Sequence, residues 1–325
     1  MSSSRENPIA IGVDVGGTYI KVALVAEGPR VLGRRLLPMS PKEAPEAVVA
    51  RLSGAVRELG REAQIELPSI GIGCAGLIDT RLGIVKISPN LPGWRDTPLA
   101  GLLSQELRVK VTLDNDANVF SVAEGFYGAA KDATNAVFVT LGTGVGGGLK
   151  LNGEMYTGSC GFAGEIGHVT IDPDGPICSC GNRGCLESFA GSGQIVRRAR
   201  TLIQEEGKQK EWEVMGLGSL DDLTARDLGE AAKEGNEIAE RVFAEAGEYI
   251  GIALAGAINL LNPEIVVIGG GVSNAGEPLF RAVKATVTRR AIAPSSKCVE
   301  IVPARFGNDA GVIGAAMMVL TSEED

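Results

Sequence analysis

No stretch of this 325-residue chain is dense in basic residues, and 31 Lys and Arg against 40 Asp and Glu leave a formal net charge of −9. The electrostatic footprint of a nucleic-acid binder is therefore missing. No apolar run reaches the ~20 residues that span a bilayer. The opening residues, MSSSRENP, lack the apolar core of a secretory signal. A cytoplasmic protein without nucleic-acid or membrane partners is expected. The acidic tail SEED reads as a solvated helix end. The pattern G-x-x-x-x-G-K-[ST] does not occur, which argues against a P-loop enzyme. Histidine occurs once, as His168.

Glycine, in contrast, is abundant, at 45 residues against a usual share of ~7%. The glycines gather at the ends of apolar runs, where a backbone can approach a ligand, and form no low-complexity tract. A hydrophobic content of 44% and a charged content of 22% are ordinary for a globular protein, and the length suits two domains.

The first third reads as a three-strand meander, IAIGVDVG, IKVALVA and VLGRRLLP, followed by a helix over 41–59. Ala47, Val48, Leu52, Val56 and Leu59 are expected on one face of that helix. SIGIGCAG is a buried strand. Residues 77–97 suggest a hairpin and a loop carrying Asn90, Pro92 and Gly93. A helix over 98–107, the strand VKVTLDND and a helix over 116–130 follow. The opening then recurs: TLGTGVGGGLKL, like VDVGGTYIKVALV, is strand, glycine–threonine turn and return strand. Such a duplication implies two similar lobes. Residues 191–260 are mostly helical. EIVVIGGGV is another buried strand, and a helix over 276–292, the strand VEIVPA and a helix over 309–321 close an α/β chain.

Residues 164–187, GEIGHVTIDPDGPICSCGNRGCLE, hold His168 and three of the six cysteines: Cys178, Cys180 and Cys185. Glycines and prolines between them permit the tight turns of a metal knuckle. Three thiolates and one imidazole match a closed, structural zinc site. Glu165 and Glu187 flank it, as a metal that shapes a polar pocket would require. Cys74 and Cys298, in strand-like runs, read as small buried hydrophobes.

Three glycine turns could meet phosphates. In Asp14-Val-Gly-Gly-Thr-x-x-Lys21, Gly16 and Gly17 would bring backbone N–H groups to an anion. Thr18 would add a hydroxyl and Lys21 a charge, and Asp14 could hold Mg²⁺ through water; a plain β-hairpin explains the same residues. Thr143 and Gly144 form the second turn. Gly270 and Gly271, after a buried strand, suit an adenosine. In Leu113-Asp-Asn-Asp-Ala-Asn118 an N-cap would employ one polar residue and not four. Asp116 is therefore the expected general base, and Asn115 suits a sugar-like hydroxyl.

Together these motifs resemble the ROK family of sugar kinases and sugar-responsive repressors, and among them the bacterial ATP-dependent glucokinases most. VDVGGTYIKVAL, GIGCAGLID, NLPGW, LDNDANVFSVAEGFYGAA, FVTLGTGVGGGL, the cysteine segment and IVVIGGGVS carry the resemblance over nearly the whole chain. It implies the actin/hexokinase-like ATPase fold, with duplicated ribonuclease H-like lobes, a structural zinc knuckle and an active site in the cleft between lobes. A small lobe over 1–117 and a large lobe with the zinc site over 118–305 are expected, the helix over 306–325 returning to the small lobe. The resemblance further implies that Asn115, Asp116, Glu165, His168 and Glu187 meet the sugar, with Asn90 and the Gly76 backbone nearby. Asp14, Gly16, Gly17, Thr18, Thr143 and Gly144 would handle the phosphates and Mg²⁺. The activity implied is ATP-dependent phosphorylation of the 6-hydroxyl of glucose in a homodimer or homotetramer. N-acetylmannosamine, N-acetylglucosamine, allose or fructose are alternative substrates and polyphosphate an alternative donor. A repressor would carry a DNA-binding region ahead of Asp14, where this sequence has thirteen residues.

Overall fold

The computed structural model describes residues 8–214 and 219–321, so the tail 322–325 lies outside the described residues. The chain divides into two compact units. Of the described residues, 8–132, 157–163 and 305–321 form the first, and 133–156, 164–214 and 219–304 the second.

The first unit opens with β1 (Ile9–Val15), β2 (Tyr19–Ala26), β3 (Arg30–Pro38), α1 (Pro45–Ala63) and β4 (Ile70–Cys74). A small sheet of β5 (Leu77–Asp79), β6 (Ile84–Ile87) and β7 (Arg95–Thr97) follows, then α2 (Leu99–Leu107), β8 (Val111–Asn115) and α3 (Asp116–Phe126). The second unit holds β9 (Ala136–Leu141), β10 (Val145–Leu151), β11 (Glu154–Met155), α4 (Glu187–Ala190), α5 (Ser192–Glu205), α6 (Gln209–Val214), α7 (Ala225–Lys233) and α8 (Glu237–Leu261). It closes with β12 (Ile265–Gly269), α9 (Glu277–Arg290), α10 (Ala293–Cys298) and β13 (Glu300–Pro303), before α11 (Ala310–Thr321) returns to the first unit.

Each unit is built on one five-stranded sheet, ordered β3-β2-β1-β4-β8 in the first and β11-β10-β9-β12-β13 in the second. In both, the first three strands in chain order form an antiparallel meander, and the last two join its first strand in parallel. The two sheets thus share one topology, which the recurring strand–turn–strand motif announced.

Period-two alternation sorts the strands of the first unit. Ile11, Val13 and Val15 share a core cluster with Val48, Leu52, Val56 and Leu59 of α1 and Leu103 of α2. The intervening positions turn to the other face, against α11. There the strands carry glycine. A Cβ at Gly12 would lie 1.8 Å from the Val312 carbonyl oxygen, and one at Gly71 1.8 Å from that of Ala315. Helix α11 is apolar almost all round, as a helix covered on most sides must be. Its other flank meets α3, where a Cβ at Gly314 would fall 1.9 Å from the Val119 carbonyl oxygen.

In the second unit α8 and α9 pack together, and Ile238, Val242, Phe243, Ile250 and Leu254 of α8 enter the core with the inward side chains of β9 and β12. No described helix is long and apolar enough to cross a membrane.

Several expectations need correction. Ala47 is exposed while Val49 and Ala55 are buried, because one step along a helix turns about 100° and Ala47 lies off the Val48–Leu59 stripe. The hairpin over 77–97 gains a third strand, β7. Cys298 ends the short helix α10 and is exposed, since Pro294 starts a helical turn where a strand was expected. Helix α3 stops at Phe126, and it is counted with the first unit because it packs on α11. The first division therefore falls after 132 and not after 117.

The backbone contact at Gly71 should make it intolerant of one methyl group. Gly71→Ala is expected to cost at least about 1–3 kcal/mol in urea unfolding. Gly54→Ala, in open space on α1, should instead stabilise by up to about 1 kcal/mol. Equal effects of the two would show that α11 does not rest on the sheet this closely.

Candidate active site and metal centre

Strands β1, β4 and β8 run parallel and end together: Val15 lies beside Cys74, and Cys74 beside Asn115. Ligands of α/β sheets bind beyond such carboxyl ends. The Asp14–Thr18 turn, Gly76 and Asn115–Asp116 all follow from this edge. Gly16 closes its turn by donating to the Tyr19 carbonyl at 3.1 Å. Asn90 abuts the turn, since a Cβ at Gly17 would stand 3.2 Å from the Asn90 Cβ. Gly76 needs its own lack of a side chain: its φ is +123°, and a Cβ would meet the Ile87 carbonyl oxygen at 2.2 Å.

Lys21 turns to Asp14 and not to open solvent. Its Nζ donates to Asp14 Oδ2 at 3.0 Å and to the Asn308 carbonyl at 3.1 Å. A Cβ at Gly311, in the first turn of α11, would lie 2.8 Å from the Asp14 carboxylate. Asp14 therefore sits between the Lys21 ammonium and the first turn of α11.

In the Asp114–Asn118 cluster the cap employs a single polar residue, as expected, and two of the others hold each other. Asn115 caps α3, its Oδ1 accepting from Ala117 N–H at 2.8 Å and Asn118 N–H at 3.3 Å, while its Nδ2 donates to the Gly76 carbonyl at 3.0 Å. Asp114 accepts from Asn118 Nδ2 at 2.9 Å. Burial pushes the Asp114 carboxyl up, against the pull of its bonds from Asn118 and the Asn115 N–H. Three of the four polar residues thus brace one another. Asp116 is the exposed one, at the first position of α3.

In the second unit the turn 142–145 follows β9 as the Asp14 turn follows β1. Gly142 donates to the Gly144 carbonyl at 3.0 Å. Glu187 reaches this turn: its Oε2 accepts from Val145 N–H at 3.1 Å, and a Cβ at Gly144 would stand 2.4 Å from the same oxygen. Its Oε1 accepts from Ser179 Oγ at 3.1 Å. Glu187 therefore joins the glycine turn to the cysteine loop, a link with no signal in linear spacing. Gly270 has a packing reason of its own, with φ +87° and a Cβ that would lie 2.3 Å from the Leu141 carbonyl oxygen, whereas Gly271 faces open space.

The cysteine loop is folded by its own backbone. Cys178 N–H donates to Asn182 O at 2.7 Å, and Gly181, at φ +90°, donates to Cys178 O at 3.0 Å. His168, Cys178, Cys180 and Cys185 bring their ligand atoms within 4.8 Å of one another. His168 Nδ1 lies 3.7 Å from Cys178 Sγ, while Nε2 points toward Glu165, 4.0 Å from its Oε2. Burial pushes the Cys178 thiol up, but hydrogen bonds from Cys180, Ser188 and His168 outweigh it and draw the thiol down. Cys185 is pushed up by burial and by its sulfur neighbours. Crowding thus lets one thiolate form at the expense of another. A bound divalent cation would relieve that conflict, and an S₃N donor set suits a soft, tetrahedral ion.

Two contributors escaped the reading of the sequence. Asn308 lies in FGNDAG, whose only signal is a polar turn ahead of an apolar helix. Glu124, in the apolar run ANVFSVAEGF that follows Asp116 on α3, is fully buried.

The model of the ROK family matches residues 10–322. A glucokinase of Thermotoga maritima is 37% identical over 95% of this chain and 96% of its own length. A ROK family glucokinase from Streptomyces griseus, solved in complex with glucose and AMPPNP, superposes with a TM-score of 0.85 at 32% identity, over 95% of this chain and 98% of that one. The xylose repressor of Bacillus subtilis is 31% identical over 96% of this chain and 77% of that protein. With a family match across almost its full length and the shared two-sheet architecture, this chain belongs to the ROK family.

Proposed function

We propose that this chain transfers the γ-phosphoryl group of ATP to the 6-hydroxyl of glucose, with Asp116 as general base. The supporting observation is that Asp116 is exposed at the first position of α3, its Oδ1 accepting from the Ala117 N–H at 3.0 Å, at the same sheet edge as the Asp14 turn. Its relatives named as glucokinases supply the substrate.

Phosphoryl transfer requires an alcohol held in line, neutralised phosphate oxygens and an acceptor for the hydroxyl proton. Asp116 accepts that proton as the 6-oxygen forms its bond to phosphorus and the bond to the departing ADP breaks. The N–H groups of the Gly16–Thr18 and Thr143–Gly144 turns receive phosphate oxygens. Asp14 would hold Mg²⁺, which when bound supplies positive charge against the phosphates. Glu165, His168 and Glu187, with Asn90, accept and donate to the ring hydroxyls and so orient the sugar. The four knuckle ligands would hold zinc with no position left open for substrate, which makes its role structural. His168 would then serve from both ring nitrogens, Nδ1 toward the metal and Nε2 toward the pocket.

The xylose repressors among the relatives favour one second reading, a sugar-responsive binding protein without turnover. ADP release measured with ATP–Mg²⁺ across glucose, mannose, fructose, allose, N-acetylglucosamine and N-acetylmannosamine separates the readings. The largest kcat/KM is expected for glucose. A preference for an N-acetyl sugar would overturn the substrate, and sugar binding without turnover would favour the sensor. Asp116→Asn should lower kcat by about 10²–10⁴-fold while glucose Kd from calorimetry stays near that of the parent. Substantial residual turnover would remove Asp116 as the base.

Cys180→Ala tests the metal. Zinc measured by mass spectrometry of the purified protein should fall from one equivalent to well below it, with a lower Tm. Full metal content in that variant would refute the ligand set.

A further inference from the structure

Glu124 has no part in the reaction described above, yet it is a carboxylate with no exposed surface on the helix that carries Asp116. A buried charge is costly unless it is fully hydrogen-bonded, and an apolar residue would satisfy the packing of α3 better. Both carboxylate oxygens have backbone partners. Oε2 accepts from Ala129 N–H at 2.9 Å, and Oε1 from Phe306 N–H at 2.8 Å. Gly128 lets the chain close over the carboxylate, since a Cβ there would stand 2.2 Å from Oε2.

The Phe306 contact leads onward. Phe306 caps the short turn Gly307–Asp309, which runs directly into α11. The Asn308 carbonyl in that turn accepts from Lys21, and Lys21 holds Asp14. Asp309 pairs with Arg34 of β3 at 3.4 Å. A single short segment is therefore fastened at its head by Glu124, in its middle by Lys21 and at its end by Arg34.

We propose that Glu124 is a positioning residue that ties the helix of Asp116 to the Asp14–Lys21 pair through residues 306–309. On the phosphoryl-transfer reading, on which this rests, the base and the acid of the phosphate turn are then held in one frame. The fold does not depend on the tie, because α3 is already seated on α11 through Gly314. What the tie supplies is the placement of Asn308, hence of Lys21, hence of the Asp14 carboxylate. Reactions that need in-line geometry are sensitive to errors of this kind.

Glu124→Gln retains the shape and one acceptor but turns an amide NH₂ toward a backbone N–H. The full-length variant should keep its glucose Kd. Its kcat is expected to fall about ten- to a hundredfold, with a higher KM for ATP–Mg²⁺. In a Lys21→Met background the same change should add little to the ATP–Mg²⁺ KM, because both act along one line of contacts. Effects that multiply, or a lowered Tm with unchanged kinetics, would reduce Glu124 to a structural residue. Gly128→Ala, whose Cβ would crowd both the carboxylate and the Cα of Glu124, should reproduce the kinetic change, and wild-type kinetics in a folded Gly128→Ala variant would overturn the proposal. Hydrogen exchange requires no substrate and decides the matter even if the chain turns over no sugar. Glu124→Gln should speed exchange in peptides covering both 305–310 and 14–21. Faster exchange in 305–310 alone would break the proposed line of contacts whatever reaction the chain performs.

Discussion

The architecture of the first unit depends on how closely helix α11 can approach the sheet beneath it. Side chains ordinarily hold a helix well above a sheet, but Gly12 and Gly71 remove that spacer at neighbouring positions of β1 and β4. The helix backbone settles onto the strands, Gly311 comes against Asp14, and Gly314 admits α3 on the opposite flank. The position of Asp116 therefore follows from absent side chains as much as from present ones. This also accounts for part of the high glycine content: some glycines serve the site, and others bring backbones together so that the site can form.

The two sheets share strand order and directions but have spent their first turns differently. In the first unit an acid near the end of β1, Asp14, pairs with Lys21 across the hairpin, on β2. In the second, the turn after β9 has no acid of its own and instead receives a carboxylate from far along the chain, Glu187. A duplicated scaffold has thus acquired its charges by local means in one copy and by a long-range contact in the other. That contact also explains why the cysteine loop and the glycine turn belong to a single structural unit.

Much of this was legible in the sequence because it depends on short-range chemistry. Alternation marked the strands, the recurring glycine–threonine turn marked the duplication, and the spacing of Cys178, Cys180 and Cys185 marked the Cys/His cluster. What escaped reading depends on contacts between distant residues. Lys21 on an isolated strand could face solvent, and the structure instead pairs it with Asp14 on the neighbouring strand and with the Asn308 carbonyl. Cys298 looked like a strand residue because it adjoins the strand-like run VEIVPA, but Pro294 imposes a helical turn first. The polar run at 114–118 looked too rich for a cap. Asn115 does cap α3, while Asp114 and Asn118 hold each other, and exposure is what sets Asp116 apart from its neighbours.

The meeting of Gly144 and Glu187 has a consequence for how such a sequence can drift. The space that a side chain at 144 would occupy is filled by the carboxylate of 187, so the two positions are one volume shared by two codons. A lineage that gained even alanine at 144 would have to shorten or redirect the acid at 187, and with it give up the bonds to Val145 and Ser179. A side chain at 144 and the present position of the Glu187 carboxylate therefore exclude each other. A homologue with a larger residue at 144 is one in which the glycine turn and the cysteine loop have been uncoupled.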